Sequence, residues 1–194
     1  MGRYSKEQYK SGQHSLTEDE VKALLLTFDN IQDKTMVALT LVLGLRREDV
    51  VNINKKDFDF KSGAITYFEH KKHRTRTLFI PSAEVVQLLT MHINTCRPSD
   101  WMFPSPRSTP YFKNRHVSSR HAYNVFNNHL EMAGITKRPF HSLRATAYKL
   151  AQARGWTPRM AAELLGDSMR VAEEHYAAPS VDEMRDAAKA MPLL

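Results

Sequence analysis

Apolar residues recur at helical spacing along most of this chain, and the pattern predicts a mainly helical protein. It is clearest over residues 141–154, where one face carries expected core residues, namely Leu143, Ala147, Leu150 and Ala151. His141, Arg144 and Tyr148 fall on roughly the opposite face, and the first two are neighbours at a spacing of three. Such a pair suits an anion, because arginine offers a rigid fork of donors and histidine titrates near neutral pH.

Local signals mark where the other helices begin and end. Thr17 and Glu20 form a capping-box pattern, and Gly44 and Gly166 are placed to end helices. The predicted helices lie at about residues 17–28, 33–43, from 47 onward, 83–95, 116–133, 158–165, shortly after 167, and 181–191.

Two stretches rich in β-branched and aromatic residues predict strands at residues 65–68 and 76–80. The basic segment between them, residues 69–75, is the expected tip of a hairpin. Residues 57–63 are expected to form a turn-rich connection, residues 101–104 a short buried segment, and residues 105–113 a loop.

Arg46 stands at the junction between the helix that ends near Gly44 and the helix that begins near Arg47. A phosphate bound there could also meet the free backbone N–H groups of a helix start. Taken alone, Arg46 and Arg47 are better explained as residues that solvate a turn, and the pair His141 and Arg144 as part of a solvated helix face.

Composition narrows the class of partner. The chain has 194 residues and a formal net charge of +7, which favours a polyanion such as nucleic acid or an anionic membrane surface. No apolar run approaches the length of a membrane span, and no signal peptide opens the chain. Cys96 is the single cysteine, so no disulfide can form within the chain, which fits a reducing compartment.

The order of several short motifs is more specific than any one of them. The chain reads F-H-x-L-R-x-T, then E-L-L-G-D-S, then H-Y, and this order resembles that of the tyrosine recombinase (phage integrase) family. The resemblance assigns His141, Arg144 and the nucleophile Tyr176. The sequence departs from the family at Asp167, where the family usually has His or Trp.

The same resemblance implies roles for residues in the first half of the chain. The segment that begins G-L-R matches the family's first arginine box, with Arg46 as a phosphate clamp and Asp49 as the acidic residue that orients it. The family's catalytic lysine lies in a β-hairpin, which by spacing indicates Lys72, with Lys71 as the alternative. The implied DNA-binding residues are Arg46, Lys71, Lys72, Arg74 and Arg144.

The resemblance therefore implies a mainly α fold with a small antiparallel β-sheet, and a site-specific DNA recombinase that needs no cofactor and no metal. Tyr176 would attack a phosphodiester to form a 3′-phosphotyrosine. His70 and His73 could suggest a metal pair, but no further ligands cluster near them in the sequence. The implied partners are double-stranded DNA and other protomers in a tetrameric synapse, in the cytoplasm at the DNA and with no membrane.

Three other classes of protein remain open at this stage. A type IB topoisomerase or a telomere resolvase would use similar chemistry, and a non-catalytic DNA-binding relative would fit the unusual Asp167. A basic helical protein with a purely structural role is the third class.

The expected domain organisation has three parts. Residues 1–15 would be a polar tail or linker remnant, residues 16–178 the catalytic domain, and residues 179–194 a C-terminal helix that protomers exchange. The family usually has an N-terminal helical DNA-binding domain, and none fits before Leu16, so we expect an excised catalytic domain or an unusually short enzyme.

Asp167 permits two interpretations. It could be protonated beside the phosphate, because a neighbouring anion raises the pKa of a carboxyl group. Alternatively it could turn away and accept hydrogen bonds from Arg144, from Arg170 or from the helix start that it caps. We favour the second interpretation, which makes Asp167 a structural residue.

Overall fold

The computed structural model describes residues 11–106 and 114–190, and within them it confirms a mainly α fold with one small antiparallel sheet. The strands are β1 (Phe58–Asp59), β2 (Ala64–Glu69) and β3 (Arg74–Phe79). The helices are α1 (Glu18–Leu26), α2 (Ile31–Leu43), α3 (Arg47–Val51), α4 (Ala83–Thr95), α5 (Ser119–Met132), α6 (Ser142–Ala153), α7 (Pro158–Leu165), α8 (Met169–His175) and α9 (Val181–Ala190).

The predicted capping box and the two predicted glycine helix ends are confirmed, since they depend on local chemistry. Thr17 and Glu20 cap α1 reciprocally, each side chain accepting a hydrogen bond from the other's backbone N–H. Gly44 and Gly166 end α2 and α7 in the left-handed conformation, with φ of 60° and 68°. The predicted helix at residues 116–133 begins later, at Ser119, because an isolated bridge pairs His116 with Pro104.

The hairpin of β2 and β3 is longer than the two predicted strands, and its tip is a short 3₁₀ turn over His70–Lys72. The strand order is β1-β2-β3, and Glu69 pairs with Arg74 at the end of the hairpin nearest the turn. The sequence pattern missed β1, because a strand of two residues is too short to show an alternation. The predicted buried segment at 101–104 is confirmed at Met102 and Phe103, which are fully buried.

Helix α2 lies at the centre of the core. It packs against α4, α5 and α6, and its apolar residues are buried on nearly every side of the helix. Helix α6 is buried on two faces rather than one. Leu143, Ala147 and Ala151 lie in the core as predicted, whereas Leu150 is only half-buried. Helix α7 packs against both α6 and α8.

The N-terminal segment differs from the expected tail in the part that the structure describes. Ser11–His14 form a 3₁₀ helix that packs against α6. The carbonyl of Gly12 accepts a hydrogen bond from Lys149 Nζ at 3.0 Å, and Ser15 is buried. Predictions for residues 1–10, for loop residues 107–113 and for the helix end at Met191 lie outside the described residues.

Gly44 is the glycine whose replacement we expect to be most costly. A Cβ at this position would lie 2.1 Å from Leu165 Cδ2, and φ is +60°. We expect Gly44→Ala to lower the free energy of unfolding by about 1–2 kcal/mol for the left-handed backbone and by a further ~1–3 kcal/mol for overpacking. Urea denaturation would measure this loss.

Gly134→Ala is the matched control, because Gly134 has φ of +71° and no packing partner among the described residues lies within 4 Å of the position that an added Cβ would take. This variant should lose only the backbone contribution, about 1–2 kcal/mol. Equal losses for the two variants would show that Leu165 adapts to the added methyl without cost.

Candidate active site

The residues that the sequence singled out come together from four separate parts of the chain. Arg46 is the residue before α3, Lys72 lies in the hairpin turn, and Arg144 is in the first turn of α6. Tyr176 directly follows α8, and Asp167 lies between α7 and α8. The three cations and the phenol all contact the carboxylate of Asp167.

Arg144 is a buried cation with fixed partners. Its side chain is 2% exposed, and it donates to the backbone carbonyls of Gly44 and Leu165. These carbonyls lie at the C-terminal ends of α2 and α7, where helix carbonyls lack intrahelical partners and carry partial negative charge. Because two helix ends hold the guanidinium, its orientation does not depend on a bound ligand.

Asp167 accepts hydrogen bonds from all sides of the cluster. Arg144 Nη2 lies at 2.6 Å, Lys72 Nζ at 2.8 Å, and Arg46 Nη2 and the Tyr176 hydroxyl each at 3.1 Å. Burial raises the pKa of Asp167, but the positive charges of Arg144, Lys72 and Arg46 lower it by a larger amount. The pKa therefore lies well below its usual range. The carboxylate is therefore ionised at neutral pH.

With its present partners Asp167 is ionised, because its pKa is lowered, so the protonated form applies only beside a bound phosphate. The capping role needs correction, because Ser168 is the N-cap of α8 and accepts a hydrogen bond from the backbone N–H of Val171. The predicted contact with Arg144 is confirmed. Asp167 faces into the cluster because three cations offer a stronger set of partners than one helix start.

The hydroxyl of Tyr176 lies at the inner edge of the cluster. It accepts a hydrogen bond from Arg144 Nε at 3.1 Å, donates to Asp167, and lies 3.3 Å from Nε2 of His141. The residue is 3% exposed, and burial raises the pKa of its phenol. The phenol is therefore protonated at neutral pH.

His141 remains partly open to solvent, yet desolvation and the nearby charges of Arg144 and Arg46 lower its pKa to about 4. Its imidazole is therefore neutral at pH 7, and Nε2 can accept a proton. Since Nε2 faces the Tyr176 hydroxyl, His141 has the position and the protonation state of a general base.

The hairpin turn separates the two candidate lysines. Lys72 donates to the carbonyl of Gly166 and to Asp167, so it belongs to the cluster. Lys71 instead lines an open cleft of about 680 Å³ beside the cluster, together with Arg46, Arg47 and His141. Arg74 donates to the Gly166 carbonyl at 3.1 Å and so ties β3 to the same loop.

Asp49 does not make the contact that its family role implies. Its carboxylate accepts hydrogen bonds from the backbone N–H of His70 at 3.0 Å and contacts His70 Nδ1 at 3.1 Å. It thus fixes the start of the hairpin turn. Arg46 is instead held by Glu69, which also accepts a hydrogen bond from Arg74 Nε at 2.8 Å.

Glu69 is the site residue that the sequence analysis missed. Its carboxylate is fully buried, and ion pairs with Arg46 and Arg74 lower its pKa although burial raises it. A signal was present in the sequence. Residues 65, 67 and 69 alternate along one face of β2, and all three are buried. A glutamate on an inward-facing strand position requires a cation as partner.

The described residues contain no group of three or more His, Cys, Asp or Glu side chains placed to hold a metal ion. Among the helices that the structure describes, none is long and apolar enough to cross a membrane.

Comparisons with known proteins agree with this geometry. The pattern that defines the phage integrase family matches residues 14–182. The tyrosine recombinase XerA of Pyrococcus furiosus is 27% identical over 183 residues, which is 93% of this chain and 62% of that protein. The chain thus spans about three fifths of the length of this curated relative.

Solved structures show the same fold. A crystal structure of XerA recombinase superposes with a TM-score of 0.74 at 20% identity, covering 93% of this chain and 66% of that one. The Tn1549 transposon integrase in complex with a circular intermediate DNA superposes with a TM-score of 0.70 at 15% identity, covering 92% of this chain and 66% of that one. A lambda integrase dimer bound to a COC′ core site superposes with a TM-score of 0.66 at 16% identity, covering 81% of this chain and 59% of that one.

The match over residues 14–182 and the cluster of Arg46, Lys72, His141, Arg144 and Tyr176 define a tyrosine recombinase-type catalytic fold. The chain belongs to the phage integrase family.

The buried ion pairs of Glu69 should be measurable as stability. We expect Glu69→Gln to lower the free energy of unfolding by about 1.5–3 kcal/mol at pH 7, because two charge-assisted hydrogen bonds weaken. The folded pKa of Glu69 is lowered from 4.5, so its contribution is present above that pH and is lost as the pH falls through the lowered value.

Urea denaturation at pH 7 and at pH 3 would therefore show a smaller difference between wild type and Glu69→Gln at the lower pH. Glu174→Gln is the control, because Glu174 is exposed on α8. A loss from Glu69→Gln that stayed the same at both pH values would contradict the electrostatic role.

Proposed function

We propose that this chain is the catalytic domain of a site-specific DNA recombinase or integrase, which cleaves and rejoins DNA through a 3′-phosphotyrosine at Tyr176. The observation that carries the proposal is the position of the Tyr176 hydroxyl, within 3.3 Å of Arg144 Nε, the Asp167 carboxylate and His141 Nε2. A phenol in contact with a fixed cation and a neutral imidazole is placed for attack on an anionic phosphorus centre.

In the proposed reaction the phenol oxygen of Tyr176 attacks the phosphorus of one phosphodiester. The new O–P bond forms as the bond from phosphorus to the 5′-oxygen breaks, so the number of phosphate ester bonds is conserved. Attack by the freed 5′-hydroxyl of a partner strand reverses the step and releases the tyrosine. No external energy source is needed, since one ester bond replaces another at each stage.

The charge that develops on the non-bridging oxygens needs fixed donors. Arg46 and Arg144 supply two guanidinium groups, and the Nη2 atoms that now donate to Asp167 can donate to these oxygens. Glu69 and the carbonyls of Gly44 and Leu165 hold the two arginines in place, so little reorganisation is needed during the reaction.

Two proton transfers complete the scheme. The phenolic proton of Tyr176 passes to the neutral Nε2 of His141, and Arg144 Nε stabilises the oxygen that loses it. Lys72 is the candidate donor to the leaving 5′-oxygen, because its ammonium lies in the cluster on a hairpin turn. Each such transfer typically contributes about 10²–10⁴-fold to the rate.

We propose double-stranded DNA as the partner that enters the open cleft beside the cluster. Arg46, Arg47 and Lys71 line it, and Arg74 lies nearby on β3. The net charge of +7 supports a polyanion, and both the Tn1549 integrase and the lambda integrase named above were solved with DNA. Phosphate contacts of this kind make binding strongly dependent on salt.

We further propose that several protomers, four in the complete synapse, assemble on DNA, and that residues 179–194 dock on a neighbour. The lambda integrase relative is a dimer on its DNA. In this chain Val181 and Met184 of α9 are 74% and 57% exposed, so the helix presents an apolar surface that the described residues leave uncovered. An ion pair between Glu183 and Lys149 connects α9 to α6.

Under this proposal residues 16–178 form the catalytic unit, and the 3₁₀ helix at Ser11–His14 packs on it as well. The proposed place of action is the cellular DNA, in the cytoplasm.

Tyr176→Phe should retain DNA binding and abolish the covalent adduct, because the ring stays buried while the nucleophilic oxygen is removed. A nicked suicide substrate traps the adduct, and mass spectrometry locates it. Tyr148→Phe is the matched control, since Tyr148 is also buried and its ring centroid lies 6.1 Å from that of Tyr176.

An adduct on another tyrosine would contradict the assignment. An adduct at Tyr176 accompanied by relaxation of single duplexes, with no exchange between two duplexes, would indicate a type IB topoisomerase. DNA binding with no adduct in the wild type would indicate a non-catalytic relative.

Deletion of residues 179–194 should impair assembly of several protomers on DNA more than it impairs binding of one protomer. The reason is that the exposed apolar face of α9 is proposed to pack on a neighbour. Native gel shifts that resolve one-protomer and multi-protomer complexes would measure both steps. Glu183→Gln, which weakens the contacts of this carboxylate with Lys149 and the Ser180 N–H but keeps the apolar face of α9, is the control. An equal loss of both steps on deletion would mean that α9 packs in cis.

A further inference from the structure

We infer that Asp167 is an internal anion that occupies the phosphate-binding position while DNA is absent, and that a DNA phosphodiester must displace it. This inference rests on the proposed function only in identifying the incoming anion as a DNA phosphodiester. The presence of an anion site that Asp167 fills can be tested without any cleavage reaction.

The geometry of the carboxylate supports this inference. Oδ1 accepts from Arg46 Nη2 at 3.1 Å and from Lys72 Nζ at 2.8 Å. Oδ2 accepts from Arg144 Nη2 at 2.6 Å and from the Tyr176 hydroxyl at 3.1 Å. The groups proposed to bind and attack the phosphate thus all donate to one side chain, with two donors on each of its oxygens.

A carboxylate is a suitable substitute for a phosphodiester. Each carries one negative charge, and each presents two oxygens to which a guanidinium fork can donate. Exchange of one for the other therefore leaves the net charge of the cluster unchanged. A phosphorus atom within bonding reach of the Tyr176 oxygen would bring its non-bridging oxygens to the place that Oδ2 now fills, so the two anions exclude each other.

Burial of Arg144 explains why an internal anion is useful. The Arg144 side chain is 2% exposed, and a buried cation without an anionic partner is strongly destabilising. Two backbone carbonyls contact this guanidinium, but they carry only partial charge. Asp167 adds a carboxylate with a full negative charge beside the Arg144 guanidinium.

The loop allows the carboxylate to leave without local unfolding. The backbone N–H of Asp167 donates to the carbonyl of Ala162 at 3.1 Å, and Ser168 rather than Asp167 caps α8. Displacement therefore requires only rotation of the Asp167 side chain, while the backbone on both sides keeps its hydrogen bonds. The consequence is a protein whose phosphate site is closed by its own carboxylate until a competing anion arrives.

Inorganic phosphate is a direct probe of this competition. Its dissociation constant can be measured by the rise in melting temperature with phosphate concentration, against sodium chloride at matched ionic strength. We expect Asp167→Asn, which keeps the shape and removes the charge, to bind phosphate about tenfold or more tightly than wild type, a change equivalent to roughly 1.4 kcal/mol. The matched control Glu174→Gln, an equal charge change at an exposed position of α8, should bind as wild type does.

The expected pattern includes a lower melting temperature for Asp167→Asn in chloride and its recovery in phosphate. Asp167→His, which replaces the carboxylate with the residue type usual in the family, should behave in the same way. Equal phosphate affinity in wild type and both Asp167 variants would overturn the inference, and so would failure of both variants to fold in phosphate. Tight phosphate binding by Asp167→Asn without any covalent adduct in the wild type would retain the anion site and reject the proposed recombinase activity.

Discussion

The site depends on the hydrogen bonds of the buried Arg144 guanidinium. It joins the C-terminal ends of α2 and α7 through their carbonyls and reaches Tyr176 and Asp167 with its remaining donors. Two helices that are distant in sequence must therefore end at the same point for this charge to be stabilised. Gly44 meets that requirement, because only a residue without a side chain lets the end of α2 approach Leu165 so closely.

The small sheet joins the cluster through a second set of charges. Glu69 is fully buried at the end of β2 and pairs with Arg46 and Arg74, and Arg74 also donates to the Gly166 carbonyl. These contacts fix the hairpin against the loop between α7 and α8, and so they hold the Lys72 turn beside Asp167. The hairpin thus positions Arg46 through Glu69 and supplies a candidate proton donor, Lys72.

The features that local sequence patterns predicted correctly are those set by neighbouring residues. The capping box of Thr17 and Glu20 and the glycine ends at Gly44 and Gly166 depend on local chemistry, and the structure has them as predicted. The hydrogen bonds of Glu69 and Asp167 cross 23 and 121 residues to reach Arg46. Helical or strand spacing carries no information about such partners, so the capping role given to Asp167 was wrong. Asp49 contacts His70 rather than Arg46, although the family resemblance implied a role beside Arg46.

Asp167 also shows how a departure from a family pattern can fit the family's chemistry. A His or Trp there can donate a hydrogen bond to a phosphate, whereas an ionised carboxylate can only accept. The surroundings of Asp167 require a hydrogen-bond acceptor with a negative charge, because Arg46, Lys72 and Arg144 bring three positive charges to one point. A neutral donor at this position would leave Lys72 and Arg144 without an anionic partner among the described residues. In its inferred role as an internal anion, Asp167 stabilises these cations, and an incoming phosphodiester has to displace it.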